Sequence, residues 1–164
     1  MRRTMVPYCS ILLIALFANC AAQDQQASSV CTFEDGKQIS VRYQPGPGST
    51  AKIKEGAIWS PGGAPMLLFT SADLKVGNAE IPVGAYSMYV IPGKDKWTLV
   101  VSKNVSENGK YDQQQDLLRA PMGTGTLNSP VQPPSVDLGH TAAKQCNMRL
   151  YYQKTGAFIE FEEK

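Results

Sequence analysis

The sequence has 164 residues, of which 16 are basic and 14 acidic, so its formal net charge is only +2. A chain this close to neutral lacks the basic surface with which proteins hold nucleic acid. Its length fits one domain with a hydrophobic core and leaves no room for a second domain of ordinary size.

The N-terminal segment predicts export. Residues 2 and 3 are arginines, and the apolar run at residues 11–18 that follows them is too short to span a bilayer. The small residues at 20–22 fit the pattern that signal peptidase recognises, so we expect cleavage before Gln23 and a periplasmic or secreted protein. The alternative is a lipoprotein anchored through Cys20. No later segment of the sequence is long and apolar enough to cross a membrane.

The chain after the predicted signal peptide, residues 1–22, divides into two parts. Residues 23–29 are polar and without periodicity, which predicts a disordered tether. Residues 30–164 are then expected to form a single β domain. Loss of the signal peptide removes two of the 16 basic residues and leaves 14, which equals the acidic count, so the mature chain is neutral.

Two tight hairpins are predicted in the first half of this domain. The first joins residues 31–33 to the alternating strand at residues 39–43 through an Asp-Gly turn. The second joins residues 74–76 to residues 79–81 through Gly-Asn, a dipeptide that tolerates a positive φ. Both patterns indicate antiparallel pairing.

The segment 81–86 predicts a corner. Pro82 fixes φ, Gly84 allows the chain to turn, and the hydroxyl of Tyr86 can reach a nearby backbone group. Tyrosine corners of this kind occur in β-sandwiches for stability. We therefore assign these residues a structural role.

The second half of the domain contains the one predicted helix. Residues 112–119 form it, with an aspartate as its N-cap. The four prolines and two glycines of residues 121–134 predict a loop or an edge strand. Residues 147–162 are predicted to form a last hairpin that turns at Lys-Thr-Gly, and Phe158 alone interrupts the alternation in its second strand.

These elements together predict an all-β fold. It is expected to be an antiparallel sandwich or a barrel-like sheet of about nine short strands with one short helix. The strands not yet named are predicted at residues 66–70, 86–91 and 97–102.

Two cysteines, Cys31 and Cys146, remain after the predicted cleavage. Because an exported protein meets an oxidising compartment, we expect them to form a disulfide. The alternative is two separate buried thiols. A metal site is not expected, since the sequence has a single histidine and no Cys-x-x-Cys pair. No cofactor is predicted.

The sequence from Ile81 to Thr98, IPVGAYSMYVIPGKDKWT, resembles a bacterial exported family known as domain of unknown function 2911. Its members have a similar turn and strand, a proline-glycine loop and a tryptophan strand. The resemblance continues at Tyr111, Asp116 and Arg119, where the family also carries a tyrosine, an aspartate and an arginine. It implies an exported β protein and no particular activity.

The sequence departs from the family pattern before this region. A second tryptophan followed by arginine and a glycine-alanine-asparagine turn is expected there, whereas this chain has Gly62-Gly63-Ala64-Pro65-Met66. If that element carries a ligand site in the family, this protein lacks it.

Five residues are candidates for a ligand site because their side chains can stack, pair with a charge or exchange a proton: Trp59, Tyr111, Asp116, Arg119 and His140. Each also has a structural interpretation. Trp59 can pack over one end of a sandwich, and an aspartate-arginine pair is often a surface ion pair. The histidine can be an ordinary exposed loop residue.

Two functional hypotheses follow. The first is a non-enzymatic cell-envelope module that binds an envelope protein or a glycan, because no catalytic residue is marked by a recognisable motif. The alternative is a hydrolase or isomerase for a small ligand, with a site around His140, Asp116 and Arg119. A shared cleft for these three residues would favour the enzyme.

Overall fold

The protein is described by a computed structural model that covers residues 26–46, 53–105 and 110–164. The predicted signal peptide and the alternative lipid site at Cys20 lie outside these residues. Within them, no helix combines the length and the apolar character needed to cross a membrane.

In the part of the chain that the structure describes, nine strands form one antiparallel sheet in the order β1-β2-β3-β6-β7-β8-β9-β4-β5, which confirms the all-β prediction. Their bounds are β1 Ala27–Thr32, β2 Gln38–Tyr43, β3 Met66–Thr70, β4 Leu74–Val76, β5 Ala79–Ile81, β6 Gly84–Ile91, β7 Trp97–Ser102, β8 Asp116–Ala142 and β9 Gln145–Glu163. Two 3-10 turns, Pro61–Gly63 and Gln113–Gln115, are the helical elements of the described residues.

Strand β1 begins earlier than the sequence predicted. Residues 27–29, assigned to a disordered tether, pair with residues 41–43 of β2. The Ser29 hydroxyl also accepts a hydrogen bond from the amide of Leu138 in β8, at 2.8 Å. Polar side chains are compatible with a strand here because β1 has only one hydrogen-bonded neighbour in the sheet and part of it faces solvent.

The two predicted hairpins and the predicted corner are present. β1 pairs with β2, and β4 pairs with β5, around glycines whose φ angles are +89° at Gly36 and +61° at Gly77. The hydroxyl of Tyr86 donates a hydrogen bond to the carbonyl of Pro82, at 2.9 Å. This bond closes the corner that leads from β5 into β6.

The prediction of a helix over residues 112–119 is wrong. Asp112 does act as a cap, because its side chain accepts a hydrogen bond from the amide of Gln114, but the turn ends after three residues. Strand β8 begins at Asp116, and its residues Leu118 and Ala120 are buried while the residue between them is exposed. Pairing with β7 thus overrides a local pattern that also fits a helix.

The proline-rich stretch is part of β8, which changes partner along its length. Its first residues pair with β7, and from Gly123 onward it pairs with β9. The register shifts twice between Thr126 and Ser135, where three of the four prolines lie. Prolines are tolerated at such irregularities because their missing amide donors break no regular ladder.

The prediction of a last hairpin is also wrong, because the structure has one long strand, β9, in its place. Its expected turn, residues 154–156, includes two residues that pair with Gly125 and Thr126 of β8. The chain changes direction at Gln153 instead, where φ is +51°. Beyond this bend, Ala157, Ile159 and Phe161 are buried as the alternation predicted.

Every strand contributes to a single hydrophobic core, so the sheet folds around one cluster. Trp97, at 6% exposure, is one of its residues.

The predicted disulfide is confirmed: Cys31 of β1 and Cys146 of β9 are bonded, with their Cα atoms 6.2 Å apart. It joins two strands that are not neighbours in the sheet.

Candidate functional site

Three of the five candidate residues form one hydrogen-bonded cluster at the start of β8. The Tyr111 hydroxyl donates to Asp116 Oδ2 at 2.7 Å, and Arg119 Nε donates to the same oxygen at 2.8 Å. Arg119 Nη2 also donates to the Tyr111 hydroxyl, at 2.5 Å. One carboxylate oxygen therefore holds both an aromatic and a cationic partner.

The hydrogen bonds of this cluster change the pKa values of its residues. Burial, followed by the hydrogen bond with Asp116, raises the pKa of Tyr111. The hydrogen bond to Asp116 raises the pKa of Arg119, so the guanidinium stays charged. Asp116 Oδ1 is buried and has no hydrogen-bond partner among the described residues.

The cluster fastens the segment before β8 to the sheet. The rings of Tyr111 and Tyr89 of β6 meet edge to face, with centroids 5.1 Å apart. Tyr89 is buried, and that burial raises its pKa. The contacts of the three candidate residues thus support a structural role. A ligand role for them stays a prediction.

Trp59 lies elsewhere, against the core. Its backbone forms two hydrogen bonds with Val90 of β6, of 2.7 and 2.9 Å. Its ring centroid is 6.0 Å from that of Trp97 and 5.1 Å from that of Tyr152. Trp59 thus packs against the core, and ligand contact by Trp59 stays a prediction.

His140 is exposed near the far end of β8, opposite Cys146 in the ladder. The hydrogen bonds that join Tyr111, Asp116 and Arg119 do not include it. The structure therefore gives no support to an active site made of His140, Asp116 and Arg119. Among the described residues, no group of three or more histidine, cysteine, aspartate or glutamate side chains is placed to hold a metal ion.

A second candidate site, which the sequence did not predict, is a groove on the outer surface of the β8–β9 ribbon. Its volume is about 420 Å³, within the range of small-ligand sites. Polar, aromatic and aliphatic side chains line it, among them Thr126, Leu127, Asn147, Arg149, Tyr151 and Phe158. We call it the β8–β9 groove.

The shape of the groove depends on the bend in β9. Residues 147, 149 and 151 alternate with buried residues and so face outward before the bend. Gly156 follows the bend, and a Cβ at this position would lie 3.3 Å from Leu127 and 3.5 Å from Tyr151. A side chain at 156 would fill the space between these two residues.

The groove presents an aromatic ring and a hydrogen-bonded cationic side chain to solvent. Phe158 is 48% exposed, and Arg149 Nε donates to Asn147 Oδ1 at 3.1 Å. The lining includes no carboxylate and no imidazole, the usual groups for acid–base catalysis. The interrupted alternation at Phe158 was the one sequence signal that this surface differs from the rest of the strand.

Comparison with known proteins identifies a family and no individual relative. No curated protein and no solved structure matches the chain. The model of a family of unknown function, DUF2911, matches residues 26–161. The match extends well beyond the residues that carried the resemblance, and it includes both the cluster and the groove. The chain belongs to the DUF2911 family of proteins of unknown function.

Proposed function

We propose that the protein is an exported, non-enzymatic β domain that binds a glycan in the β8–β9 groove. The observation that carries this proposal is the combination of aromatic walls, at Tyr151 and Phe158, with the polar groups of Thr126, Asn147 and Arg149 in one small groove. A pyranose ring has an apolar C–H face and a rim of hydroxyls, so it needs both kinds of partner.

The size of the groove favours a glycan over a protein partner. Stable protein interfaces bury about 800 Å² on each side around an apolar centre. The β8–β9 groove instead is a local depression of about 420 Å³, and its one strongly exposed large apolar side chain is Phe158. Its dimensions suit one or two sugar residues.

Two features support export. The N-terminal sequence has the basic start, short apolar run and small residues of a signal peptide. The Cys31–Cys146 disulfide is of a kind that persists in oxidising compartments. Expression with the native leader and mass determination of the exported chain tests this part, and we expect Gln23 as the first residue. A retained leader, or a lipid on Cys20, would contradict it.

Glycan binding is tested with the purified chain from residue 23 on an array of neutral and acidic oligosaccharides. We expect binding that Phe158→Ala abolishes and that Phe69→Ala leaves unchanged. Phe69 is a matched control because it is a partly exposed phenylalanine on β3, where it contacts Arg42 and does not line the groove. Circular dichroism would verify that both variants fold. Absence of binding, or equal binding by the two variants, would overturn the proposal.

A further inference from the structure

The lining of the β8–β9 groove carries one positive charge, which forms no ion pair with a described residue. Arg149 is exposed on the outward face of β9, between Asn147 and Tyr151. The ion pairs of the described residues do not include it. Since the lining of the groove contains no acidic residue, Arg149 gives it a net positive charge.

The guanidinium of Arg149 makes one hydrogen bond, through Nε, which leaves its two terminal nitrogens for a ligand. Its Nε donates to Asn147 Oδ1 at 3.1 Å, and this is the hydrogen bond that its side chain makes within the described structure. The terminal nitrogens are thereby free to act together. A planar guanidinium with free terminal nitrogens matches the two oxygens of a carboxylate.

Asp137 is the nearest acidic position in the ladder. It lies directly opposite Arg149 in the pairing of β8 with β9, and both side chains are exposed. The two form no ion pair, so Asp137 reduces the positive potential without blocking the guanidinium. It therefore gives an independent means of changing the charge near the groove.

We infer that the glycan bound in the β8–β9 groove contains an acidic sugar, whose carboxylate pairs with Arg149 while its ring packs against Tyr151. This inference rests on the proposed glycan-binding function. Charge complementarity is its basis: the guanidinium of Arg149 lines the groove without an ion-pair partner among the described residues, and one carboxylate of a ligand would match it. The aromatic ring of Tyr151, two residues along the same face, is placed to contact the body of the sugar.

The test uses hexamers of galacturonic, mannuronic and glucuronic acid, together with the same hexamers after reduction of their carboxyl groups. Isothermal titration with the chain from residue 23 should show that at least one acidic hexamer binds about tenfold more tightly than its reduced form. Arg149→Gln should remove this difference, because the glutamine side chain carries no charge to pair with a carboxylate. Asp137→Asn should increase the affinity for the acidic hexamer severalfold, because it removes a like charge.

The outcomes separate the inference from the function on which it rests. Equal binding of acidic and reduced hexamers would overturn the carboxylate inference and leave glycan binding intact. A preference for the acidic hexamer that survives in Arg149→Gln would also overturn it. Binding of no hexamer by a folded protein would overturn both.

Discussion

Gly62 is a residue that the fold requires to be glycine. Its φ is +74°, and a Cβ there would lie 1.7 Å from the carbonyl oxygen of Gln44. We expect Gly62→Ala to lower the free energy of unfolding by about 3 kcal/mol, from the left-handed backbone and the clash together. Urea denaturation followed by circular dichroism measures this loss.

The neighbouring glycine is a matched control. Gly63 has a φ of +89°, yet a Cβ there would meet no atom within 4 Å. Gly63→Ala should therefore carry only the backbone cost, about 1 kcal/mol. Equal losses in the two variants would show that the contact with Gln44 does not constrain this turn.

Asp35 is expected to make stability depend on acid pH. Its hydrogen bond with Lys37, the largest cause, lowers its pKa from 3.8 to about 2. A carboxylate with a lowered folded-state pKa contributes stability above its unfolded value, and this contribution is lost as the pH falls through the folded value. The stability of the protein should thus decline between about pH 4 and about pH 2.

Asp35→Asn tests this assignment. The variant should lose part of the decline in its urea midpoint between about pH 4 and about pH 2, because the residue no longer binds a proton. Asp95→Asn removes an exposed carboxylate from the β6–β7 loop without contact with Lys37, and it should keep the decline of the natural protein. An identical pH profile for Asp35→Asn and the natural protein would contradict the prediction.

Among the elements, β1 and β9 are connected by the disulfide. The cross-link spans 115 residues of sequence, for which chain entropy gives a stabilisation of about 5 kcal/mol. We expect a reducing agent to lower the melting temperature of the protein. The double variant Cys31→Ala with Cys146→Ala should melt at a lower temperature and should not respond to the reducing agent. Unchanged melting on verified reduction would contradict this account.

Strands β8 and β9 show why some elements could not be predicted. The leucines and the arginine of residues 116–119 suit a two-turn helix as well as a strand, since so short a segment fits both periods. Lys-Thr-Gly at residues 154–156 likewise has turn composition, yet it pairs with β8. In both places a neighbouring strand, remote in sequence, selected the conformation.

For the whole molecule, a single core predicts a single unfolding transition. Every strand contributes to the same cluster, and Trp59 packs against it beside Trp97. Tryptophan fluorescence and far-ultraviolet circular dichroism should therefore give coincident urea curves for the oxidised protein. Two separate transitions would show that the sheet contains more than one cooperative unit.

Sequence patterns were enough to predict the all-β class, the early hairpins, the tyrosine corner and the disulfide partners. The first three depend on local patterns: alternation, turn residues, and a proline before a glycine and tyrosine. The disulfide prediction depends on one pair of cysteines. The sequence also indicated Tyr111, Asp116 and Arg119 as ligand candidates; the structure joins them in one cluster, and their ligand role stays a prediction.

Contacts between parts of the chain that are distant in sequence set the strand order, the length of β8 and β9 and the presence of the groove. Asn147 and Phe158 are eleven positions apart and share no motif, yet both line the β8–β9 groove. Both line the groove because β9 bends at Gln153 and stays paired with β8 on either side of it. Side-chain pattern encodes which face of a strand is buried, whereas the bend that brings distant outward residues together depends on pairing between strands.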